Sequence, residues 1–364
     1  MNIRVGTVFS GIGAPEEGLR QLGVKHSIVF ACDNGERKLT SKDEEYIASL
    51  TGLSNVERDK LIAECYSVRS GENLVQKTYC ANNEIEARSF YQDVRYLDGN
   101  EYNGKLDLFI GGSPCQSFSV MGKRKGLEEA RGTLFYEYAR LVKEIRPRVF
   151  IYENVPGMLN HDGGNTWKVI SHIFSDLSYH WLYWVLNAKD YGLAQNRRRL
   201  FVVGFSAEYD EQFKLLVKPE KEPLTTTTAD YLEHDIPNKY YLPEKGFYRA
   251  TDKKNAKYVA VNTTISRTQV ACQQSNWFGD MRFETVYPKR VADDPRIFKG
   301  EYKGEMGVAR CLTPRECLRL MGFSDDFKIV VPDAVMYRQS GNSIAVNVIK
   351  KVLSQIIRTG VFDE

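Results

Sequence analysis

The sequence predicts an α/β fold with a mainly parallel sheet, interrupted by a smaller module that is rich in strands and loops. Two observations predict this fold. Short apolar runs, as expected of strands covered on both faces, alternate with segments of helical period in the first 206 residues. The alternation stops between residues 207 and 303 and resumes before the C-terminus. Alternating strands and helices form parallel sheets through crossovers, so one α/β domain is expected to enclose the second module.

The elements of the α/β domain follow in a regular order. Five short apolar runs are typical of buried strands: residues 4–9, 27–33, 105–110, 148–153 and 200–205. Helix-start signals or helical spacing of apolar residues mark five other segments: one opened by Pro15, then residues 134–145, 167–177, 314–321 and about 343–357. Residues 35–83 are polar and charged, with one helix expected near residues 54–67. We interpret residues 35–83 as an insertion without visible chemistry.

The composition fits a folded protein of about two domains. The chain has 364 residues, 42% hydrophobic and 27% charged, with a net charge of +3, which argues against disorder and against a histone-like basic chain. No apolar run approaches the roughly 20 residues that span a bilayer, and the N-terminus runs directly into a strand-like segment. The seven cysteines and five histidines show no metal-ligand spacing. We therefore expect a cytoplasmic protein with reduced thiols and neither a membrane segment nor a metal site.

A glycine turn follows the first predicted strand. Gly11 and Gly13 stand where an open α/β sheet binds nucleosides, and glycines there let the backbone approach a ligand closely. Asp33 ends the second strand, the usual position of a carboxylate that binds ribose hydroxyls. The third glycine of the dinucleotide fingerprint is replaced by Glu16. This turn favours a nucleoside without a pyrophosphate, such as S-adenosylmethionine, although such a turn can also be purely structural.

Three further groups of residues could carry chemistry. Cys115 follows a strand end and Pro114, and precedes a loop with three cations; a lone cysteine is usually inert, but cations favour a thiolate. Glu153 ends the next strand and could act as a general acid, or could be an ordinary surface or capping carboxylate. Three arginines at 197–199 enter another apolar strand. A run of charges is usually a solvated surface, but at the start of a buried strand we expect these arginines to contact an anion or a base edge.

Together these motifs are similar to a known family. Five blocks resemble, in order, the signature blocks of DNA (cytosine-5) methyltransferases: Phe-Ser-Gly-Ile-Gly at 9–13, Pro-Cys-Gln at 114–116, Glu-Asn-Val at 153–155, Gln-Asn-Arg-Arg-Arg at 195–199 and Arg-Gln-Ser-Gly-Asn-Ser at 338–343. Lesser blocks match at residues 126–135 and 312–316. The resemblance covers nearly all of the chain except residues 35–83 and 206–303. The compact length is similar to that of bacterial or phage modification enzymes with one target sequence.

The resemblance implies a fold and a mechanism. It implies a Rossmann-like domain that transfers the methyl group of S-adenosylmethionine to C5 of cytosine and leaves S-adenosylhomocysteine. Cys115 would attack C6, and Glu153 would protonate N3, so that C5 becomes nucleophilic. Arg199 would contact O2 of the cytosine, and Arg197 would contact the region around the cysteine and the cytosine.

The resemblance also implies two sets of binding residues. The cofactor pocket would be formed by Phe9, Gly11, Ile12, Gly13, Asp33, Asp93, Val94, Pro114, Leu134, Asn342 and Ser343. The DNA would be contacted by Gln116, Ser119, Lys123, Arg124 and Lys125. Two positions depart from the family pattern: Asp33-Asn34 replaces a glutamate and a bulky apolar residue, and Met121 stands where a small polar residue can occur.

The expected domains are discontinuous. Residues 1–206 and 304–364 would form the catalytic and cofactor-binding domain, carrying the 35–83 insertion, and residues 207–303 would form a target-recognition domain. Residues 239–310 contain 14 Lys or Arg, 8 Asp or Glu and eleven aromatics, which favours nucleic-acid binding over a small module's own core and solvated lysines. The implied partner is double-stranded DNA with the target base flipped out. A cognate restriction endonuclease would be a genetic and not a physical partner, and a monomer is expected.

Other functions remain open on the sequence alone. The same chemistry could act on tRNA, as in one branch of the family, but that branch typically has Cys-Phe-Thr in its recognition region, whereas here Cys272 is followed by two glutamines. A non-catalytic DNA-binding or regulatory relative would not need Cys115, Glu153 and the arginines. An NAD-dependent oxidoreductase is disfavoured by the missing third glycine.

Overall fold

The computed structural model describes residues 2–114 and 134–363. The fold is α/β, as the sequence predicts, and the chain forms two compact units. The first unit comprises Met1–Leu186, Arg198–Glu220 and Ile349–Glu364. The second unit comprises Asn187–Arg197 and Lys221–Val348. These units are defined by packing, so the division into a catalytic and a target-recognition domain stays a prediction.

The first unit is built on a seven-stranded sheet in the order β3-β2-β1-β4-β5-β8-β6. Its strands are β1 (Ile3–Val8), β2 (His26–Cys32), β3 (Phe90–Tyr91), β4 (Leu108–Gly111), β5 (Val149–Asn154), β6 (Tyr179–Asn187) and β8 (Arg198–Ser206). The neighbours from β3 to β5 run parallel, whereas β8 pairs antiparallel with β5. The carboxyl ends of β1, β2, β3, β4 and β5 therefore meet at one edge of the sheet, where open α/β sheets bind their ligands.

Helices cover this sheet, and their sequences account for their positions. They are α1 (Ala14–Gln21), α5 (Leu134–Ile145), α6 (Asn165–Ser175), α7 (Asp210–Lys214) and α12 (Val346–Arg358), the last of which continues from the second unit into the first. Apolar residues of α5 recur at helical spacing, and five of them are buried: Phe135, Tyr138, Leu141, Val142 and Ile145. The aromatic rings of Phe109 and Tyr138 stack at 5.2 Å, so α5 is packed directly on β4.

The connection from β2 to β3 consists mainly of three helices, α2 (Ser41–Ser49), α3 (Asn55–Ser70) and α4 (Leu74–Asn82). Residues 35–83, which contain them, are called the crossover segment below. Each helix begins at a polar cap: Thr40 and Ser54 form capping boxes, and Asn73 accepts from the backbone N–H groups of Val75 and Gln76. The helix expected near residues 54–67 is confirmed as α3, and α2 and α4 were not predicted.

The second unit contains two smaller sheets. A four-stranded sheet has the order β12-β13-β11-β9, and β10 pairs with β7. These strands are β7 (Gln195–Asn196), β9 (Val259–Val261), β10 (Ser266–Arg267), β11 (Gly279–Glu284), β12 (Lys299–Tyr302) and β13 (Glu305–Cys311). The helices are α8 (Glu244–Thr251), α9 (Lys289–Ala292), α10 (Pro314–Leu320) and α11 (Asp333–Asn342). The aromatic-rich region thus forms strands and loops, as its composition indicates, together with short helices.

A buried ion-pair cluster supports the second unit. The Arg310 side chain is 1% exposed, and its guanidinium donates to both carboxylate oxygens of Glu316 at 2.9 Å and to Glu284. Glu316 is fully buried and also accepts from the backbone N–H of Thr313, completing the capping box of α10. This cluster joins β13, β11 and the start of α10.

Within residues 2–114 and 134–363, no helix is long and apolar enough to cross a membrane. The same residues contain no group of three or more His, Cys, Asp or Glu that could hold a metal ion.

Candidate active site

The chain that leads to Cys115 leaves the sheet at the end of β4. Gly112, Ser113 and Pro114 are the last described residues before it. The predicted nucleophile Cys115 and the predicted DNA-binding residues lie outside the described residues, and the latter are Gln116, Ser119, Lys123, Arg124 and Lys125. The departure noted at Met121 lies there as well.

Glu153 is placed against this chain by strand β5. A Cβ atom on Gly112 would come within 2.8 Å of the Glu153 carbonyl oxygen and 3.0 Å of its carboxylate. Such distances are shorter than real Cβ contacts, so glycine is needed at position 112 for the two strands to approach. The segment before Cys115 and the carboxylate of Glu153 are therefore neighbours.

Two side chains of β5 hold the same segment by hydrogen bonds. The Tyr152 and Ser113 hydroxyls lie 2.7 Å apart, and Asn154 Nδ2 donates to the Ser113 carbonyl at 2.8 Å and to the Tyr152 hydroxyl at 2.9 Å. All three side chains are buried. Buried polar groups with satisfied hydrogen bonds give a rigid arrangement, so the residues that precede Cys115 have a fixed position.

Arg199 provides a cation beside Glu153. Its Nε lies 3.1 Å from Glu153 Oε1, with side-chain exposures of 17% and 13% respectively. Arg199 also donates through Nη1 to the Arg198 carbonyl. The antiparallel pairing of β5 with β8 brings this arginine and the glutamate together, while their contacts with a cytosine stay predictions.

Arg197 occupies a different environment in the second unit. It is 2% exposed, and its terminal nitrogens donate to the carbonyls of Gln269 at 2.7 Å, Gly341 at 3.1 Å and Ser343 at 2.6 Å. These bonds fix the residues around Asn342 and Ser343, at the end of α11. In its described contacts Arg197 holds backbone carbonyls of the second unit in place. Its contact with the cytosine stays a prediction.

The turn after β1 has the backbone that its sequence predicts. Phe9, Gly11 and Gly13 have φ angles of 54°, 54° and 83°, so three residues of the turn are in the left-handed region. For Phe9 this conformation is strained and is typical of a functional turn. Ile12 is buried, and the space where a Gly11 side chain would stand is open to 4 Å. The turn thus presents backbone to a ligand.

Asp33 lies directly beneath this turn. Its carboxylate accepts from the backbone N–H of Gly11 at 2.9 Å and of Gly35 at 2.8 Å. Burial raises the pKa of Asp33, while these two hydrogen bonds and the cation of Arg37 favour its charged form. Because a carboxylate can accept about four hydrogen bonds, Asp33 retains capacity for ligand hydroxyl groups.

Asp93 follows β3 with its carboxylate already occupied. It accepts from the Tyr66 hydroxyl at 2.7 Å and from the Arg95 guanidinium at 2.7–3.2 Å, and its side chain also caps the turn through the backbone N–H of Arg95. Val94, next in the chain, is buried. Tyr66 belongs to the crossover segment, so residues outside the family motifs orient this predicted cofactor residue.

The other predicted cofactor residues are distributed over both units. In the first unit, Pro114 is exposed after β4 and Leu134 is the first residue of α5. In the second unit, Asn342 ends α11 and Ser343 follows it. The structure brings together Phe9, Gly11, Ile12, Gly13 and Asp33 at one edge of the first sheet, with Asp93 and Val94 beyond a neighbouring strand of that sheet.

Comparison with known proteins decides the family. Residues 46–358 match the model of the family described as C-5 cytosine-specific DNA methylase. The chain belongs to this family. It is a DNA (cytosine-5) methyltransferase, and its methyl donor is S-adenosylmethionine, which becomes S-adenosylhomocysteine.

The methyltransferase is similar to bacterial and phage enzymes. It is 34% identical over 298 residues to the Type II methyltransferase M.SsoII of Shigella sonnei. This alignment covers 79% of this chain and 72% of that protein. It is 26% identical over 472 aligned positions to the orphan methyltransferase M.SPRI of Bacillus phage SPR, covering 100% and 99% of the two chains. The crystal structure of S. pombe Dnmt2 methyltransferase shares the fold, with a TM-score of 0.64 at 16% identity over 98% of this chain and 99% of that one.

The residues of the first unit fit S-adenosylmethionine. The open space beside Gly11 admits a ligand against the backbone of the turn, and the Asp33 carboxylate faces the same turn with acceptor capacity left. A nucleoside without phosphate groups needs acceptors for its ribose hydroxyls and no phosphate site, and the Asp33 carboxylate supplies such an acceptor.

Sequence reasoning missed the residues that position the site. Gly112, Ser113, Tyr152 and Asn154 make the close contacts between β4 and β5. One sequence signal could have identified them: polar residues follow directly on two apolar strands. Polar side chains that are buried at such strand ends usually form hydrogen bonds.

Proposed function

We propose that this methyltransferase modifies one cytosine in a specific double-stranded DNA sequence, with Cys115 as nucleophile and Glu153 and Arg199 as the groups that bind the flipped cytosine. The observation that carries the proposal is the Glu153–Arg199 pair beside the segment that leads to Cys115. A carboxylic acid can donate to N3 of cytosine, and an arginine can donate to O2. The two side chains thus match adjacent atoms of one base edge.

The covalent step follows from the chemistry of cytosine. C5 of a neutral cytosine is a weak nucleophile, and addition of the Cys115 thiolate to C6 with protonation of N3 by Glu153 converts the ring into an enamine. After transfer, C5 loses its proton to water, the C6–S bond breaks and N3 returns its proton to the Glu153 carboxylate, which restores the aromatic ring, the free thiolate and the general acid. Glu153 acts as the general acid, a role that typically contributes about 10²–10⁴-fold in rate.

Binding of the cofactor would use the turn after β1. When bound, S-adenosylmethionine supplies an electrophilic methyl group on a sulfonium. Phe9, Gly11, Ile12 and Gly13 would contact it through their backbone, and Asp33 would accept from the ribose hydroxyls. Asp93, Val94, Pro114, Leu134, Asn342 and Ser343 are proposed to complete the pocket.

DNA recognition would come from the predicted domain of residues 207–303, whose basic and aromatic part begins at residue 239. Its cations suit the phosphate backbone and its polar side chains suit base edges. Gln116, Ser119, Lys123, Arg124 and Lys125 are proposed to contact the DNA beside the flipped base, whose extrusion costs about a few kcal/mol. We further propose a monomer that acts in the cytoplasm of a bacterium or a phage-infected cell, with a restriction endonuclease as a genetic partner where one exists.

The decisive experiment is methylation mapping. The protein is expressed in a host without cytosine methylation, and 5-methylcytosine is mapped at base resolution in the genomic DNA. New marks confined to one short sequence are expected. A folded protein that leaves the DNA unmarked would contradict the proposal, and radiolabelled transfer to total tRNA in place of duplex DNA would support the tRNA alternative.

A second experiment tests the nucleophile. Duplexes that carry 5-fluorocytosine at the mapped position cannot lose a proton from C5, so the wild-type protein should remain covalently attached in denaturing gels. Cys115→Ser should give no adduct and no methyl transfer while still binding S-adenosylhomocysteine. Normal turnover by this variant would refute the assignment of Cys115, and loss of cofactor binding would point to misfolding.

A further inference from the structure

The crossover segment, residues 35–83, is the largest part of the first unit that the family motifs do not cover. Part of the segment packs through apolar contacts: Tyr79 lies in a buried cluster with Ala31 and Phe90, and Val56 packs on the main core. The segment also makes hydrogen bonds to residues that follow β1, β2 and β3. Such bonds fix the orientation of individual groups, which apolar packing alone does not do.

The end of β3 is held by three side chains of the crossover segment. Asp59 accepts from the backbone N–H of Gln92 at 2.7 Å, and the Tyr66 hydroxyl donates to Asp93 at 2.7 Å. Glu44 pairs with Arg95, whose guanidinium also binds Asp93. With these bonds the acceptor positions of the Asp93 carboxylate are filled, and its orientation is fixed.

The end of β2 is held by Asn73. Its Nδ2 donates to the Asp33 carbonyl at 2.8 Å and to Gln92 Oε1 at 3.0 Å, while its Oδ1 caps helix α4. One buried amide therefore ties the residue after β2 to the residue after β3. Asp33 is thus fixed twice, at its carbonyl by Asn73 and at its carboxylate by the Gly11 turn.

The turn after β1 is held as well. The Tyr79 hydroxyl of α4 donates to Glu16 Oε1 at 2.6 Å, and both residues are buried. At Gly13 a Cβ atom would come within 2.5 Å of the Asn83 side chain, so the last residue of the crossover segment lies directly against the glycine turn. The same segment therefore reaches the loops after β1, β2 and β3, which are three of the places that the cofactor is proposed to contact.

We propose that the crossover segment positions the adenosyl-binding edge of the pocket, with Tyr66 and Asn73 as the positioning residues. This inference rests on the proposed cofactor site. Neither side chain needs to touch the cofactor: Tyr66 acts through Asp93, and Asn73 acts through Asp33 and Gln92. Loss of either set of bonds leaves loops that must be ordered on binding, which lowers affinity.

The test measures the affinity for S-adenosylhomocysteine by titration calorimetry on the full-length protein. Tyr66→Phe removes the hydroxyl and keeps the ring beneath the Arg37 guanidinium, 4.5 Å away. Asn73→Asp keeps the acceptor that caps α4 but removes the Nδ2 donor. Each variant is expected to bind roughly tenfold more weakly, as for the loss of one hydrogen bond to a charged or buried group, with a stoichiometry near one.

The matched control is Tyr46→Phe, which makes the same chemical change on α2 at a residue that is 47% exposed. Its affinity is expected to equal that of the wild type. In steady state, Tyr66→Phe and Asn73→Asp should raise KM for S-adenosylmethionine with little change in kcat or in KM for DNA. A stoichiometry well below one would reveal a partly unfolded sample, in which case the affinity of the folded fraction decides.

The outcomes separate the two proposals. If the wild type binds S-adenosylhomocysteine and both variants bind it within about twofold, the crossover segment has no positioning role, and the cofactor site stands. If the wild type does not bind it, or if Asp33→Ala leaves its affinity unchanged, the proposed cofactor site itself is wrong.

Discussion

The Nε of Arg199 lies 3.1 Å from a carboxylate oxygen of Glu153, and the two residues come from the antiparallel strands β8 and β5. In the register of this pair, Glu153 is opposite Phe201 and Asn154 is opposite Leu200. The sheet itself therefore places the ion pair, and both side chains extend from rigid elements. A site held by strands keeps its geometry better than one carried by loops.

We predict that Glu153→Gln lowers the single-turnover rate of methyl transfer at least about 100-fold, because an amide cannot deliver a proton to N3 as a carboxylic acid does. The matched control is Glu137→Gln on α5. Glu137 pairs with Arg140 at 2.8 Å with exposures of 14% and 24%, similar to those of Glu153 and Arg199. The control should retain nearly full activity. A Glu153→Gln variant with more than about a third of the wild-type rate would contradict the general-acid role.

We predict that Gly112→Ala impairs both activity and stability. The new Cβ would overlap the Glu153 carbonyl oxygen at 2.8 Å, and a backbone atom cannot move away cheaply. A loss of about 1–3 kcal/mol in unfolding free energy and about tenfold or more in kcat is expected. The control is Gly157→Ala, which has open space for the methyl group. Urea denaturation and methyl transfer assays measure the two effects, and equal behaviour of the two variants would argue against the close packing.

We predict a pH dependence of stability that originates at Asp59. Burial is the main cause that raises its pKa to about 7; the nearby Asp93 raises it further, while the Gln92 N–H and Arg37 lower it. A carboxyl whose pKa is higher in the folded state binds more protons there, so the protein loses stability as pH rises from about 4 to about 7.

Asp59→Asn should remove this loss. Relative to the wild type, its free energy of unfolding should increase between pH 5 and pH 8, by on the order of 1–3 kcal/mol. Urea denaturation at the two pH values measures it. Glu64→Gln, an exposed carboxyl on the same helix α3, serves as control and should show no such change. Parallel pH profiles of Asp59→Asn and wild type would show that Asp59 titrates normally.

We predict that Arg310→Met destabilises the protein by about 3–5 kcal/mol, because it leaves the buried carboxylate of Glu316 and the partly buried carboxylate of Glu284 without their cation. Adding Glu316→Gln should restore part of the loss. The control is Arg88→Met, which removes the exposed pair with Glu86 and should cost less than about 0.5 kcal/mol. Thermal and urea unfolding compare the variants, and equal stability of the two single variants would contradict the structural importance of this cluster.

The sequence predicts the parts of the fold that have a regular pattern. Apolar runs identify the strands β1, β2, β4, β5 and β8, and helical spacing identifies α5 and α6. Strand β6 was missed, because its alternate aromatic residues resemble neither a fully buried strand nor a turn; Tyr183 is 44% exposed while Leu186 is buried. The sequence pattern of β6 alone does not reveal this strand, because it is defined by its position beside β8 in the sheet.

The candidate site shows a similar division. Family motifs mark both Glu153 and Arg199, and the structure adds that these two side chains lie 3.1 Å apart. The sequence does not reveal that Arg197 donates only to backbone carbonyls in its described bonds, or that Tyr66 binds Asp93. These contacts join residues far apart in the chain, and hydrogen bonds of that kind depend on tertiary packing that no local pattern encodes.

The crossover segment has a consequence for engineering. β2 and β3 are parallel neighbours, so the chain that leaves β2 at one edge of the sheet must return to the opposite edge before β3 begins. Joining Asp33 to Phe90 by a tight turn would remove β3 from the sheet. A shortened enzyme must keep a bridge of about a dozen residues or more. Reporter peptides are better inserted at Gly52 or Gly71, which lie between the helices with open space around them.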